Sequence, residues 1–253
     1  MRIAAALALA AVAGQAAPET VRFITCPIYR DADSGKKSGC WLAEDRATGK
    51  SWDVSLAPSK PDWNHEVLVE GLAAAAGAQP CGSPVLDAVR TSILPGECTR
   101  QMLPAEGFPG RKFALPVRNV RPAAEARAVP AGPYAPRTFH LLFDFDQAFL
   151  IYQYDDYFLD AAITWIRAAR PRAIEVTGYA ATQKATVSGR VIAEDRGIAR
   201  ARAEKVVEAL VRLGVDRRII AVRWRGDAPV ADIPEADGLA EASRRRVDIA
   251  VLP

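Results

Sequence analysis

VTGYAATQKATVSGRVIAEDRGIARARAEKVVEALVRLGV, residues 176–215, changes its hydrophobic period part-way along. Ile174 and Val176 alternate with polar neighbours as in a strand, whereas Ile198, Ala201, Val206, Leu210 and Leu213 recur at helical spacing. A period of two therefore gives way to one of about 3.6. A long polar loop lies between the two, and Gly214 stops the predicted helix. Arg200 and Arg202 fall in the first turns of that helix, where the positive end of the helix and two guanidinium groups make a candidate anion site.

The elements on either side extend the pattern. Phe139, Leu141, Phe143 and Phe145 alternate with His140, Leu142, Asp144 and Asp146, which predicts a strand. A helix follows, capped by Asp155 or Asp156, with Phe158, Leu159, Ala162, Ile163 and Ile166 as its apolar stripe until Pro171. Further strands are expected at Ala173–Gly178, Ile219–Trp224 and Arg246–Leu252, the last with Val247, Ile249 and Val251 on one face. The order is βαβαββ, which implies one sheet covered on one face by two helices.

Five pieces now stand in a particular order: Phe143-Asp144-Phe145-Asp146, Val176-Thr177-Gly178-Tyr179, Ile198 through Arg202-Ala203 to Val206, Leu213-Gly214-Val215, and Arg244-Arg245-Arg246-Val247-Asp248-Ile249. Together they make the stretch from Thr138 to Leu252 resemble the OmpA-like peptidoglycan-binding domain family. The resemblance implies a site for the diaminopimelate residue of the wall peptide. An arginine early in the second helix of that family pairs with a carboxylate of the ligand, and Arg202 falls at its position. Arg246 or Arg245 matches a second basic position, and Tyr179 lies in the site loop. Where the family carries an aspartate that accepts the ligand's ammonium group, this chain has Ala181. Asp195 stands where the family commonly has asparagine, and Glu194 or Asp195 is a candidate replacement for the missing acid. A competing reading makes both acids caps of the second helix.

The N-terminal half reads differently. Short apolar runs at Val21–Tyr29, Gly39–Ala43, Ser51–Ser55, His65–Leu72 and Val85–Leu94 are separated by turn residues, which predicts a small all-β domain, a sandwich or a partly open OB-like barrel. The overall class is thus α+β. Cys26, Cys40, Cys81 and Cys98 all lie in this half; an even number argues for disulfides over a metal site, and local loops favour pairing Cys26 with Cys40 and Cys81 with Cys98. Trp41, Trp52 and Trp63 read as core aromatics, with a stacking platform as the alternative. The segment from Lys60 to Glu66 gathers polar groups beside Trp63 but yields no nucleophile and base pair.

The expected division is a signal peptide at 1–16, a disulfide-containing β domain at 17–117, a Pro/Ala-rich linker at 118–137 and the OmpA-like domain at 138–253. Arg2, an apolar run and small residues up to Ala16 have the form of a cleaved secretory signal, and no later stretch is long and apolar enough for a transmembrane helix. The prolines of the linker predict an extended spacer that holds the halves apart. Across 253 residues the net charge is only +3, which offers no case for nucleic acid as a partner. No motif calls for a cofactor or metal, or for catalysis. The expectation is a non-enzymatic periplasmic protein of the cell envelope that binds the peptidoglycan stem peptide; the alternative is an envelope scaffold that contacts other envelope proteins and has lost wall binding.

Overall fold

The computed structural model describes residues 19–33, 38–73, 79–111, 127–151 and 154–253. The expected signal segment and residues 118–126 of the expected linker lie outside the described residues.

Among the described residues the N-terminal half contains seven strands: β1 (Thr20–Thr25), β2 (Ile28–Arg30), β3 (Cys40–Asp45), β4 (Lys50–Asp53), β5 (His65–Ala73), β6 (Leu86–Glu97) and β7 (Gln101–Leu103). One sheet has the order β1-β5-β6 and the other β4-β3-β2-β7, with a single bridge from Asp53 to Val85 between them. The strand expected over Val21–Tyr29 is broken at Pro27, which has no N–H to give to a ladder. Val21, Phe23, Trp52, Val67, Val69 and Val89 fill the space between the sheets. Trp52 is therefore core, while Trp41 and Trp63 form a half-buried cluster with Tyr29 at 4.7–5.2 Å between ring centroids.

The disulfides join Cys26 to Cys98 and Cys40 to Cys81, which corrects the local pairing expected from spacing. Sheet pairing decides this. Cys40 begins β3 with its side chain toward Leu42, Cys81 and Leu103, and Cys26 leaves β1 with its Cα 5.7 Å from that of Cys98. The bridges span 72 and 41 residues, so each restricts the unfolded chain by about 4 kcal/mol on a chain-entropy model.

The C-terminal half runs β8 (Arg137–Leu142), α1 (Tyr154–Ala169), β9 (Ala173–Tyr179), a hairpin of β10 (Ala185–Val187) and β11 (Arg190–Ile192), α2 (Gly197–Arg212), β12 (Ile220–Arg225) and β13 (Arg246–Leu252). Its sheet has the order β12-β9-β13-β8, with β12 parallel to β9 and the other pairs antiparallel. Phe139, Leu141, Ile174, Val176, Val247, Ile249 and Val251 meet Leu159, Ile163, Ile166, Val206 and Leu210 of the two helices in one core. The βαβαββ expectation holds, with the hairpin inserted where a plain loop was expected. The buried stripe of α2 is Ala199, Arg202, Ala203, Val206, Val207 and Leu210, whereas Ala201 and Leu213, assigned to the stripe from sequence, are exposed.

The two halves touch, contrary to the spacer reading. β5 carries Val67, Leu68 and Val69 in succession, all fully buried, because its second face is covered as well. That face presents Ile24, Leu68 and Leu94, which pack on Phe145 and Val187 of the C-terminal half. Ser92 Oγ accepts from Phe145 N at 2.8 Å and Ser188 Oγ accepts from Ile24 N at 2.9 Å. The described end of the linker lies against α1, with Arg127 Nε donating to Asp160 Oδ2 at 2.8 Å.

Gly178 on β9 lets α2 come close: a Cβ there would stand 2.0 Å from the Ala199 carbonyl oxygen, a backbone atom that cannot swing aside. Gly178→Ala is expected to lower stability by about 1–3 kcal/mol in urea titration, as overpacking does; a change within a few tenths would mean that the helix has room to shift.

Candidate functional site

Arg202 sits in the second turn of α2 within its buried stripe and is 0% exposed. Arg200, two residues earlier, lies on the opposite side of the helix, exposed and paired with Glu204 at 2.7 Å. The two arginines therefore form no common face.

Each N–H donor of the Arg202 guanidinium has an acceptor. Nη1 donates to Glu194 Oε2 at 2.9 Å and to Tyr179 O at 2.9 Å; Nη2 donates to Glu194 Oε1 at 2.5 Å and to Asp144 O at 3.0 Å; Nε donates to Gln147 O at 2.8 Å. Glu194 is equally engaged, accepting from Ala181 N and Asp146 N at 2.7 Å each. Burial alone would raise its pKa, but hydrogen bonding and charge from Arg202, helped by Arg245 and the Ala181 N–H, hold it below the usual glutamate value. Glu194 is thus the carboxylate partner of Arg202.

The remaining residues predicted from sequence divide. Asp195 is exposed, and its Oδ1 accepts from Gly197 N at 2.6 Å at the start of α2, whereas Glu194, the other acid of the capping reading, bonds Arg202 and the N–H groups of Asp146 and Ala181. Tyr179 gives its carbonyl to Arg202 and its ring to Arg246, whose guanidinium carbon lies 4.3 Å from the ring centroid. Arg246 is 5% exposed and donates to Asp248 Oδ1 at 3.0 Å and to Ser243 O at 2.8 Å. Arg245 points the other way, is fully buried, and pairs with Glu70 of β5 across the contact between the halves. Burial would raise the Glu70 pKa, but Arg245, then Arg22 and Arg90, bring it below the ordinary value. Lys60, in the polar segment noted in the N-terminal half, donates to the carbonyls of Ser55 and Ala57.

A neighbouring cluster escaped the sequence reading. Asp144 accepts from Ser59 Oγ and from Arg90 Nη2, the latter at 3.4 Å, so both halves meet on one carboxylate. Beside it, burial raises Asp155 to about 7 against the pull of the Ile151 N–H and Arg90. The only sequence signal was the second aspartate-bearing register of Phe143-Asp144-Phe145-Asp146, which periodicity assigns to a solvated strand face.

The C-terminal half is similar to known proteins. The OmpA family model matches residues 142–245. The C-terminal half has an OmpA-like fold. Similar solved structures include the OmpA-like domain of FopA1 from Francisella tularensis subsp. tularensis SCHU S4, at 19% identity over 47% of this chain and 73% of that one, with a TM-score of 0.37. The peptidoglycan-associated lipoprotein from Burkholderia pseudomallei is 26% identical over 44% of this chain and 87% of that one, with a TM-score of 0.33. The cell wall anchor of the T6SS from Pseudomonas aeruginosa is 21% identical over 46% and 81%, with a TM-score of 0.36. No curated protein matches the chain.

Two measurements test the OmpA-like site. Glu194→Ala leaves a buried guanidinium without its carboxylate and is expected to cost about 3–5 kcal/mol, whereas Asp195→Ala costs about 1 kcal/mol as a lost surface cap. Equal losses in denaturant titration would contradict the assignment. Asp155, protonated in the fold up to about pH 7 but ionised in the unfolded chain above its ordinary 3.8, withdraws stability as pH rises through that window. Asp155→Asn is therefore expected to stabilise the protein above pH 7 and to change little below pH 4; a pH-independent difference in melting temperature would refute this.

Proposed function

We propose that the protein is a non-enzymatic component of the bacterial cell envelope whose OmpA-like domain serves as a scaffold joined to the disulfide-bonded β half, in place of a grip on diaminopimelate. The observation that carries this reading is that Arg202 is fully buried with all five N–H donors occupied, two of them by Glu194. A ligand carboxylate would have to expel Glu194 from a low-dielectric site and leave that acid without a partner, a cost of several kcal/mol with no gain in bond number. The ammonium end of the ligand would find no acid at Ala181, whose N–H is itself held by Glu194. The carboxylates and guanidiniums here are committed to one another, an arrangement that holds structure and leaves none poised for turnover.

Export to the periplasm is supported by the apolar segment at 1–16 and by two disulfides, which persist in oxidising compartments. Among the described residues no helix is long and apolar enough to cross a membrane. The second reading, direct binding of the peptidoglycan stem peptide, draws its support from the retention of Arg202 at the family's arginine position. It would require Glu194 to leave.

Co-sedimentation with purified sacculi separates the two. The scaffold reading expects the protein to remain in the supernatant, or any sedimentation to be insensitive to free diaminopimelate. Sedimentation of the wild-type protein that free diaminopimelate competes away would overturn it.

A further inference from the structure

A cavity of about 190 Å³ lies where the described end of the linker crosses α1 and β8, lined by Arg127, Pro130, Arg137, Phe139, Thr164 and Trp165 among others. None of these residues contributes to the Arg202 site. Arg127 is already neutralised by Asp160 at 2.8 Å and also donates to Tyr157 O at 3.0 Å. Arg137 is not: its guanidinium carbon stands 4.8 Å from the Phe139 ring centroid and 4.9 Å from that of Trp165, and it has no carboxylate partner among the described residues. Contact with two rings holds the guanidinium beside the cavity without neutralising its charge. Tyr134 packs edge-on against the Trp165 indole, at 5.4 Å between centroids and 85° between planes, and holds it in place.

The lining thus offers a free cationic fork and the polar Thr164 beside an apolar floor of Pro130, Phe139 and the Trp165 indole. Such a set demands acceptors and a negative charge on the ligand. A planar carboxylate matches the guanidinium fork with two charge-assisted bonds, and the apolar floor favours an organic acid over a bare inorganic anion. The volume suits one terminal residue and no more. We infer that this cavity is a binding site for the terminal carboxylate of a peptide chain, with Arg137 as its charge partner and the Trp165 indole as part of its floor. The site is independent of the scaffold reading, since it shares no residue with Arg202 or Glu194.

The test is an NMR titration of the full chain labelled with nitrogen-15, using N-acetylglycine as the probe and N-acetylglycinamide and inorganic phosphate as controls. Trp165→Phe identifies its indole resonance among the five tryptophans. N-acetylglycine is expected to shift that resonance saturably, the neutral amide is not, and phosphate binds at least about tenfold more weakly. Arg137→Gln, an exposed position that leaves the fold intact, is expected to weaken N-acetylglycine binding by about tenfold or more. No saturable shift, equal binding by the amide or by phosphate, or unchanged affinity in Arg137→Gln would each overturn the assignment.

Discussion

The pairing of Arg202 with Glu194 is the constraint around which the OmpA-like domain closes. A guanidinium with no solvent exposure is tolerable only if its charge is matched and its donors are filled, and here one carboxylate and three backbone carbonyls do both. Those carbonyls belong to Asp144, Gln147 and Tyr179, so one side chain ties α2 to the end of β9 and to the turn after β8. Glu194 adds Ala181 and Asp146 through their N–H groups. The loop between β9 and α2 is consequently pinned at both ends, and the β10–β11 hairpin projects from between the pins.

The same economy of charge extends across the contact between the halves. Glu70, Arg22, Arg90 and Ser92 occupy the face of sheet β1-β5-β6 that also presents Ile24, Leu68 and Leu94. Arg245 answers Glu70, Asp144 answers Arg90, and the Phe145 N–H meets Ser92. Apolar contact supplies the area, and the buried ion pairs fix the register of one half on the other; an ion pair in such surroundings is a poor source of net stability but a strict one of orientation. The disulfides brace the β-stranded half, each closing a long loop around a small core.

Function separates from fold at this point. An arginine at the family's position is compatible with a ligand grip only if it has donors to offer, and the number of internal acceptors decides that. On the proposed scaffold reading, Ala181 offers no acid to a ligand's ammonium group, and Glu194 satisfies the arginine from within.

Local periodicity was enough to read most of the elements. The alternation of Val247, Ile249 and Val251, the apolar stripe of α1 and the change of period between Val176 and Val206 each reflect a single strand or helix choosing its buried face, and adjacent residues carry that information. The five family pieces in order extended it to the whole C-terminal half. The disulfide pairing, the burial of Arg202 and the contact of Glu70 with Arg245 were decided by tertiary structure, because each joins residues from different elements. Cys26 meets Cys98 only once the strands are laid side by side; Arg202 reads as a ligand-binding arginine until Glu194 folds over it. A charged side chain carries no local signal of its partner, and that partner sets whether it is a solvated surface group, a ligand-binding arm or part of the core.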